Sequence, residues 1–119
     1  MNVIEKNKIL QQHLTEIKGA VFVKYTGLLE LAHALGLQSI ETENVILNEE
    51  TGFVLFKATV KALVGKDVMI FTGYGDASPK NVSGMVRQHL IRVAETRAKA
   101  RALRDLVGSK YVSAEELGG

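Results

Sequence analysis

Residues 53–74 read FVLFKATVKALVGKDVMIFTGY, and their two-residue period decides the fold class. Val54, Phe56, Ala58, Val60, Ala62 and Val64 fall on one face of an extended strand over Phe53–Val64. Lys57, Thr59 and Lys61 fall on the other, which is expected to meet solvent or a ligand. Gly65-Lys66-Asp67 makes a hairpin turn, and Val68–Tyr74 is a second run rich in β-branched and aromatic residues. Upstream, Ile40–Leu47 is a further strand, joined through the turn Asn48-Glu49-Glu50-Thr51-Gly52. Strands linked by loops this short run antiparallel, so the three form a meander.

On the C-terminal side the loop Gly73-Tyr74-Gly75-Asp76-Ala77 leads to Ser78 and to Pro79, the only proline. Serine at an N-cap with proline at the first helical position is a strong helix start. The following stretch has a single glycine, Gly84, before Gly108; it is expected to be one helix of about 28 residues, ~42 Å long. On the N-terminal side, Val3, Ile4, Leu10, Leu14 and Ile17 suit a short amphipathic helix that Gly19 ends. Ala20–Tyr25 reads as a short extra strand. From Gly27, Leu28, Leu31, Ala32 and Leu35 recur at helical spacing up to Gly36, which suits a helix C-terminus. The expected fold is therefore α+β: a three-stranded antiparallel meander packed by one long C-terminal helix, with short N-terminal helices and a short extra strand. One domain accounts for the 119 residues, with an N-terminal helix over 1–19, a core over 20–108 and a polar tail over 109–119.

Composition narrows the function classes. The hydrophobic share of 46% suits a packed core, and the absence of cysteine removes disulfides and thiol chemistry. No apolar run approaches the ~20 residues of a membrane helix, and Glu5, Lys6 and Lys8 do not suit a secretory signal. The expectation is a soluble cytoplasmic protein without membrane partners. His13, His33 and His89 are scattered, with no second ligand at metal-binding spacing; no metal or cofactor is expected, and His89 is read as a packing residue. Asp76 near Ser78 is explained by helix capping rather than by a nucleophile pair. Gly73-Tyr74-Gly75 lacks the third glycine of a dinucleotide fingerprint and leaves an antiparallel sheet. The chain does not read as an enzyme.

Charge supplies the positive lead. Lys80–Lys110 holds eight of the fifteen Lys and Arg but only two of the thirteen acids, a local +6 against −4 for the remainder. Such asymmetry is the footprint of a polyanion partner, most commonly nucleic acid. At 100° per residue Val82, Met85, Val86, His89, Val93, Ala100, Leu103 and Val107 form a core stripe. Ala94, Ala98 and Ala102 form a row of small side chains, which admits close approach of another backbone, including one from a neighbouring subunit. Arg97, Arg101 and Arg104 form a basic ridge. The functional reading lays this ridge along a groove between helix and sheet, with Lys57 and Lys61 on its other wall. The guanidinium fork suits phosphate, and a row of them tracks a backbone without reading sequence. The plain alternative is a solvated face laced by pairs such as Glu95–Lys99 and Arg101–Asp105.

Two elements carry a family resemblance: Gly73-Tyr74-Gly75 closing the third strand, and the run from Glu95 to Gly108 with Arg101-Ala102-Leu103-Arg104 at its centre. Together with Phe22–Ala32, Ser39-Ile40-Glu41-Thr42-Glu43 and Glu115-Glu116-Leu117-Gly118, they resemble the Rad-fifty-two superfamily of single-strand annealing proteins, in its bacterial DdrA-like and phage recombination branch. The similarity covers roughly residues 20–118. It implies binding of single-stranded DNA and annealing of complementary strands in recombination and repair, without catalysis, by a homo-oligomeric ring or helical filament in a bacterial or phage-infected cell. By position it implies Arg101 and Arg104 as groove residues, with Arg97 and Lys99 in support. Lys57 and Lys61 rest on the strand-face reading alone. The chain departs from the eukaryotic branch at Gly27, where that branch has a DNA-contacting arginine, at the short Leu37-Gln38 stretch, and at Ala100.

Tyr25 and Tyr74 are either base-stacking platforms or packing residues. Two other functions compete. A double-stranded RNA-binding domain shares the α-β-β-β-α order but ends in a shorter helix, and its loop does not match the acidic Asn48–Gly52 turn. An oligomerisation module would use the long helix for assembly alone.

Overall fold

The computed structural model describes residues 2–82 and 89–117. The chain opens with α1 (Val3–Gln12), whose first turn is capped by Asn2, the Oδ1 accepting the Glu5 N–H at 2.9 Å. Leu10 is its buried residue, whereas Val3 and Ile4 stand in solvent. The expected helix over 3–17 stops here. Leu14–Ile17 is instead β1, paired antiparallel with β2 (Ala20–Val23). The turn between them is Lys18-Gly19, both at positive φ (50° and 82°), as a two-residue hairpin of this hand requires. The spacing of Leu14 and Ile17 is compatible with a helix, but a local turn that closes a hairpin overrides it.

The second strand is shorter than expected because Tyr25 already belongs to α2 (Tyr25–Ala34). No side chain of its own N-cap, Lys24, caps this helix; a carboxylate oxygen of Glu115 accepts the Tyr25 N–H at 2.7 Å from across the molecule. Gly36, at φ 103°, follows the helix end, and its carbonyl accepts the Leu63 N–H. A β-carbon there would lie 2.2 Å from the Leu63 carbonyl oxygen.

The meander is as expected and longer: β3 (Leu37–Asn48), β4 (Phe53–Val64) and β5 (Asp67–Ala77) form one antiparallel sheet in the order β3-β4-β5. Along β4, Val54, Phe56, Ala58, Val60 and Ala62 are buried in alternation, while Val64, beyond the packed part of the sheet, is exposed. Val64 pairs with Asp67, so the hairpin loop is the two residues Gly65-Lys66, with Gly65 at φ 64°.

The C-terminal helix, α3 (Leu90–Val107), is shorter than expected: 18 residues, or ~27 Å. Ser78 and Pro79 start a turn instead, in which the Asn81 and Val82 N–H groups both donate to the Ser78 carbonyl. Met85 and Val86 of the expected stripe lie outside the described residues. His89 sits exposed at the start of α3 rather than in the core. The helix ends at Gly108, in the left-handed conformation at φ 67°.

Helix α3 packs on β4 and β5 and is buried on more than one side. Ala94, Ala98, Ala100 and Ala102 are inaccessible, as are Leu103 and, nearly so, Val107. The alanine row does meet another backbone, but it belongs to this chain's own β5. A β-carbon on Gly75 would lie 2.3 Å from both the Ala94 carbonyl oxygen and the Ala98 nitrogen, and one on Gly73 2.6 Å from the Ala102 nitrogen. Glycine on the strand and alanine on the helix are a matched pair. Beyond α3 the tail folds back against the molecule as far as Leu117. The Val23 N–H donates to the Val112 carbonyl, Ser113 bridges Val23 in parallel, and a short 3-10 turn follows at Ala114–Leu117. Among the described residues no helix is long and apolar enough to cross a membrane.

Candidate nucleic-acid interface

The three arginines of α3 reach towards the C-terminal turn and the end of β5, yet they are not an open ridge. Arg97 is only 6% exposed. Its Nε donates to the Glu116 carbonyl at 2.6 Å, its Nη1 to the Asp76 carbonyl at 2.8 Å and to Asn81 Oδ1 at 3.0 Å. Its Nη2 donates to the Asn81 and Leu117 carbonyls. Burial, and then the neighbouring Arg101 charge, lower its pKa, against Asp76 and Glu116, which raise it. Arg97, expected to contact DNA, is instead turned inward, and its fork is spent on the carbonyls of Asp76, Asn81, Glu116 and Leu117.

Arg101 and Arg104 converge on one carboxylate. Glu116 Oε1 lies 3.2 Å from Arg101 Nε and 3.4 Å from Arg104 Nη1, while its Oε2 accepts the Ser113 N–H at 2.9 Å. Glu116 is 5% exposed, so this charge is sheltered from water. The Arg101 side chain is 42% exposed and also reaches the Tyr74 carbonyl at 2.9 Å and Asp76 at 3.8 Å. Arg104 is more enclosed, and its Nε is buried without a hydrogen-bond partner among the described residues. Arg101 is thus the member of the set that faces solvent.

The bonds from Arg97 and Arg101 have a second effect. Tyr74 and Asp76 turn their carbonyls away from β4, onto the free edge of the sheet, and the two guanidinium groups cap them. An outward carbonyl marks Lys57–Tyr74 as a non-hydrogen-bonded pair, the kind in which facing side chains stand closest. Tyr74 is 51% exposed on the sheet face turned away from α3, beside Lys57.

Lys57 and Lys61 alternate with the buried residues of β4, so they lie on that same outer face and not on a wall opposite the arginines. The described residues do not bring the six expected residues into a single groove. Lys57 faces Glu43 and Tyr74 across the ladders; Lys61 faces Ser39 and Ile70. Lys99 points elsewhere again, its Nζ 5.9 Å from the centre of the Tyr25 ring on α2. Burial, with the charges of Glu95 and Glu115, raises the Tyr25 pKa. Tyr25 is part of the packing, whereas Tyr74 is open to a stacking partner.

Asp76, Asn81 and Glu116 are the residues that periodicity did not find. The usable signal was the acidic pair Glu115-Glu116 behind an arginine-rich helix, after the short apolar segment Tyr111-Val112. Among the described residues no group of three or more His, Cys, Asp or Glu is placed to hold a metal ion. No protein-family model matches this chain, and no curated protein matches it.

Proposed function

We propose that this chain binds single-stranded DNA and anneals complementary strands as a homo-oligomer. The observation that carries the reading is the file formed by Arg101, Tyr74 and Lys57: a half-exposed guanidinium at the free edge of β5, an exposed aromatic ring, and an ammonium beside it on the open sheet face. Guanidinium and ammonium neutralise phosphate, an aromatic face stacks on any base, and neither reads sequence. The family resemblance of the Gly73-Tyr74-Gly75 and Arg101-Ala102-Leu103-Arg104 elements points the same way. Annealing requires no bond-making residue: phosphate repulsion is relieved, the strand is held extended and base edges stay free. Assembly multiplies contacts that are weak singly.

The test is fluorescence anisotropy with a labelled oligothymidylate over a range of salt, alongside an assay of complementary-strand pairing. Binding weakens steeply with salt, and the double variant Arg101→Glu with Lys57→Glu loses binding and annealing while keeping its circular dichroism spectrum. Salt-independent binding, or full activity in that variant, overturns the proposal.

A further inference from the structure

The sheet carries unpaired apolar side chains at both ends. At the β4–β5 hairpin, Leu63, Val64, Val68, Met69 and Ile70 are exposed; at the β3–β4 hairpin, Val45, Ile46 and Leu47 are. The length of β4 from Val54 to Leu63 separates the two groups by ~30 Å, so neither can cover the other within one molecule. Groups of this kind at the two ends of a single strand mark contact surfaces rather than scattered exposure.

Charge selects the occupant. Residues 44–55, around the β3–β4 turn, contain Glu49 and Glu50 and no Lys or Arg. Residues 61–70, around the β4–β5 turn, contain Lys61 and Lys66 against Asp67. Pairing either end with itself about a two-fold axis joins ends of like net charge, −2 with −2 or +1 with +1, whereas pairing one end with the other joins ends of opposite net charge. The backbone agrees. Val68, Ile70 and Thr72 share the parity of Tyr74 in the ladder, so their N–H and C=O groups lie on the free edge of β5. The arginine caps described above reach Tyr74 and Asp76, at the other end of that edge.

We infer that the β4–β5 hairpin end of one copy docks on the β3–β4 hairpin end of the next. This rests on the oligomeric part of the proposed function and gives it a geometry. The contact is head-to-tail, so it leaves one end of each kind free in any open chain and grows into a ring or a filament.

The experiment is sedimentation velocity on the full chain without DNA, using Val68→Glu to block one end and Ile46→Lys to block the other. Wild type sediments above monomer. Each variant alone is monomeric, and an equimolar mixture of the two forms dimers, because one intact end of each kind remains. A monomeric wild type overturns the inference, as does a mixture that stays monomeric or an Ile46→Lys chain that assembles like wild type. If either variant loses its native circular dichroism spectrum, Lys66→Glu and Glu50→Lys replace it. Each then weakens assembly alone, and their mixture restores it; no recovery on mixing overturns the inference. Oligothymidylate binding by the monomeric variants reports separately on Arg101 and Lys57, so failure of the DNA reading and failure of the contact are distinguishable.

Discussion

Arg97 Nε donates to the backbone carbonyl of Glu116 at 2.6 Å, and this bond fixes the C-terminal segment to the middle of α3. With its other donors on Asp76, Asn81 and Leu117, the Arg97 side chain ties helix, β5 and tail into one unit. Arg97→Lys keeps the charge but loses the fork, leaving several carbonyls without donors. We expect a loss of about 2–3 kcal/mol in urea denaturation. The salt dependence of DNA binding by the folded fraction should stay unchanged, since this arginine faces no solvent.

Glu116 holds Arg101 and Arg104 together but also neutralises them. Glu116→Gln keeps the shape and the acceptor for Ser113 while removing the charge. At low salt the affinity for oligothymidylate should rise about tenfold, the scale of one charge-assisted hydrogen bond of ~1.4 kcal/mol. The salt slope should steepen by up to ~0.7 for each further phosphate that the freed guanidinium groups neutralise. Anisotropy titrations at several salt concentrations decide it; an unchanged slope would show that the two guanidinium groups do not meet DNA.

Gly75 has no room for a methyl group, because a β-carbon would meet helix backbone at 2.3 Å, where nothing flexible can yield. Gly75→Ala should cost about 3 kcal/mol or more. Gly19, at φ 82° with open space around it, is the contrasting case: Gly19→Ala meets only backbone strain, about 1–2 kcal/mol. Thermal and chemical denaturation of the two variants should rank them in that order.

The Tyr25 phenol is raised above the ordinary tyrosine value of about 10 by burial and then by Glu95 and Glu115. Below that ordinary value the proton is bound in both folded and unfolded chains, and stability does not depend on it. Above it the unfolded chain loses the proton first, so stability falls as pH rises towards the folded value. Ultraviolet titration should show a late tyrosine step, and Tyr25→Phe should remove both that step and its share of the alkaline loss.

How far the fold can be read from residue order depends on which forces are local. Strand β4 was legible to its ends, Phe53 to Val64, because alternation and a glycine turn are written into adjacent residues. The start of α3 was not. Ser78-Pro79 followed by Asn81 serves a closed turn as well as a helix, and the choice rests on Asn81 reaching Arg97 and Asp76. The arginine ridge was legible in phase but not in exposure. Helical spacing says that Arg97, Arg101 and Arg104 lie near one another; it does not say that Glu116 folds back over them. Lys57 and Lys61 show the same limit. Their strand face was clear, and which layer covers it was a tertiary fact.

The interlocking of Gly73 and Gly75 with the alanines of α3 leaves the two layers no play. Helix α3 and strand β5 cannot slide past one another without a collision of main chains. In the proposed annealing assembly, mechanical freedom between helix and sheet is excluded at this seam, so it would have to lie elsewhere, as at the joints between copies.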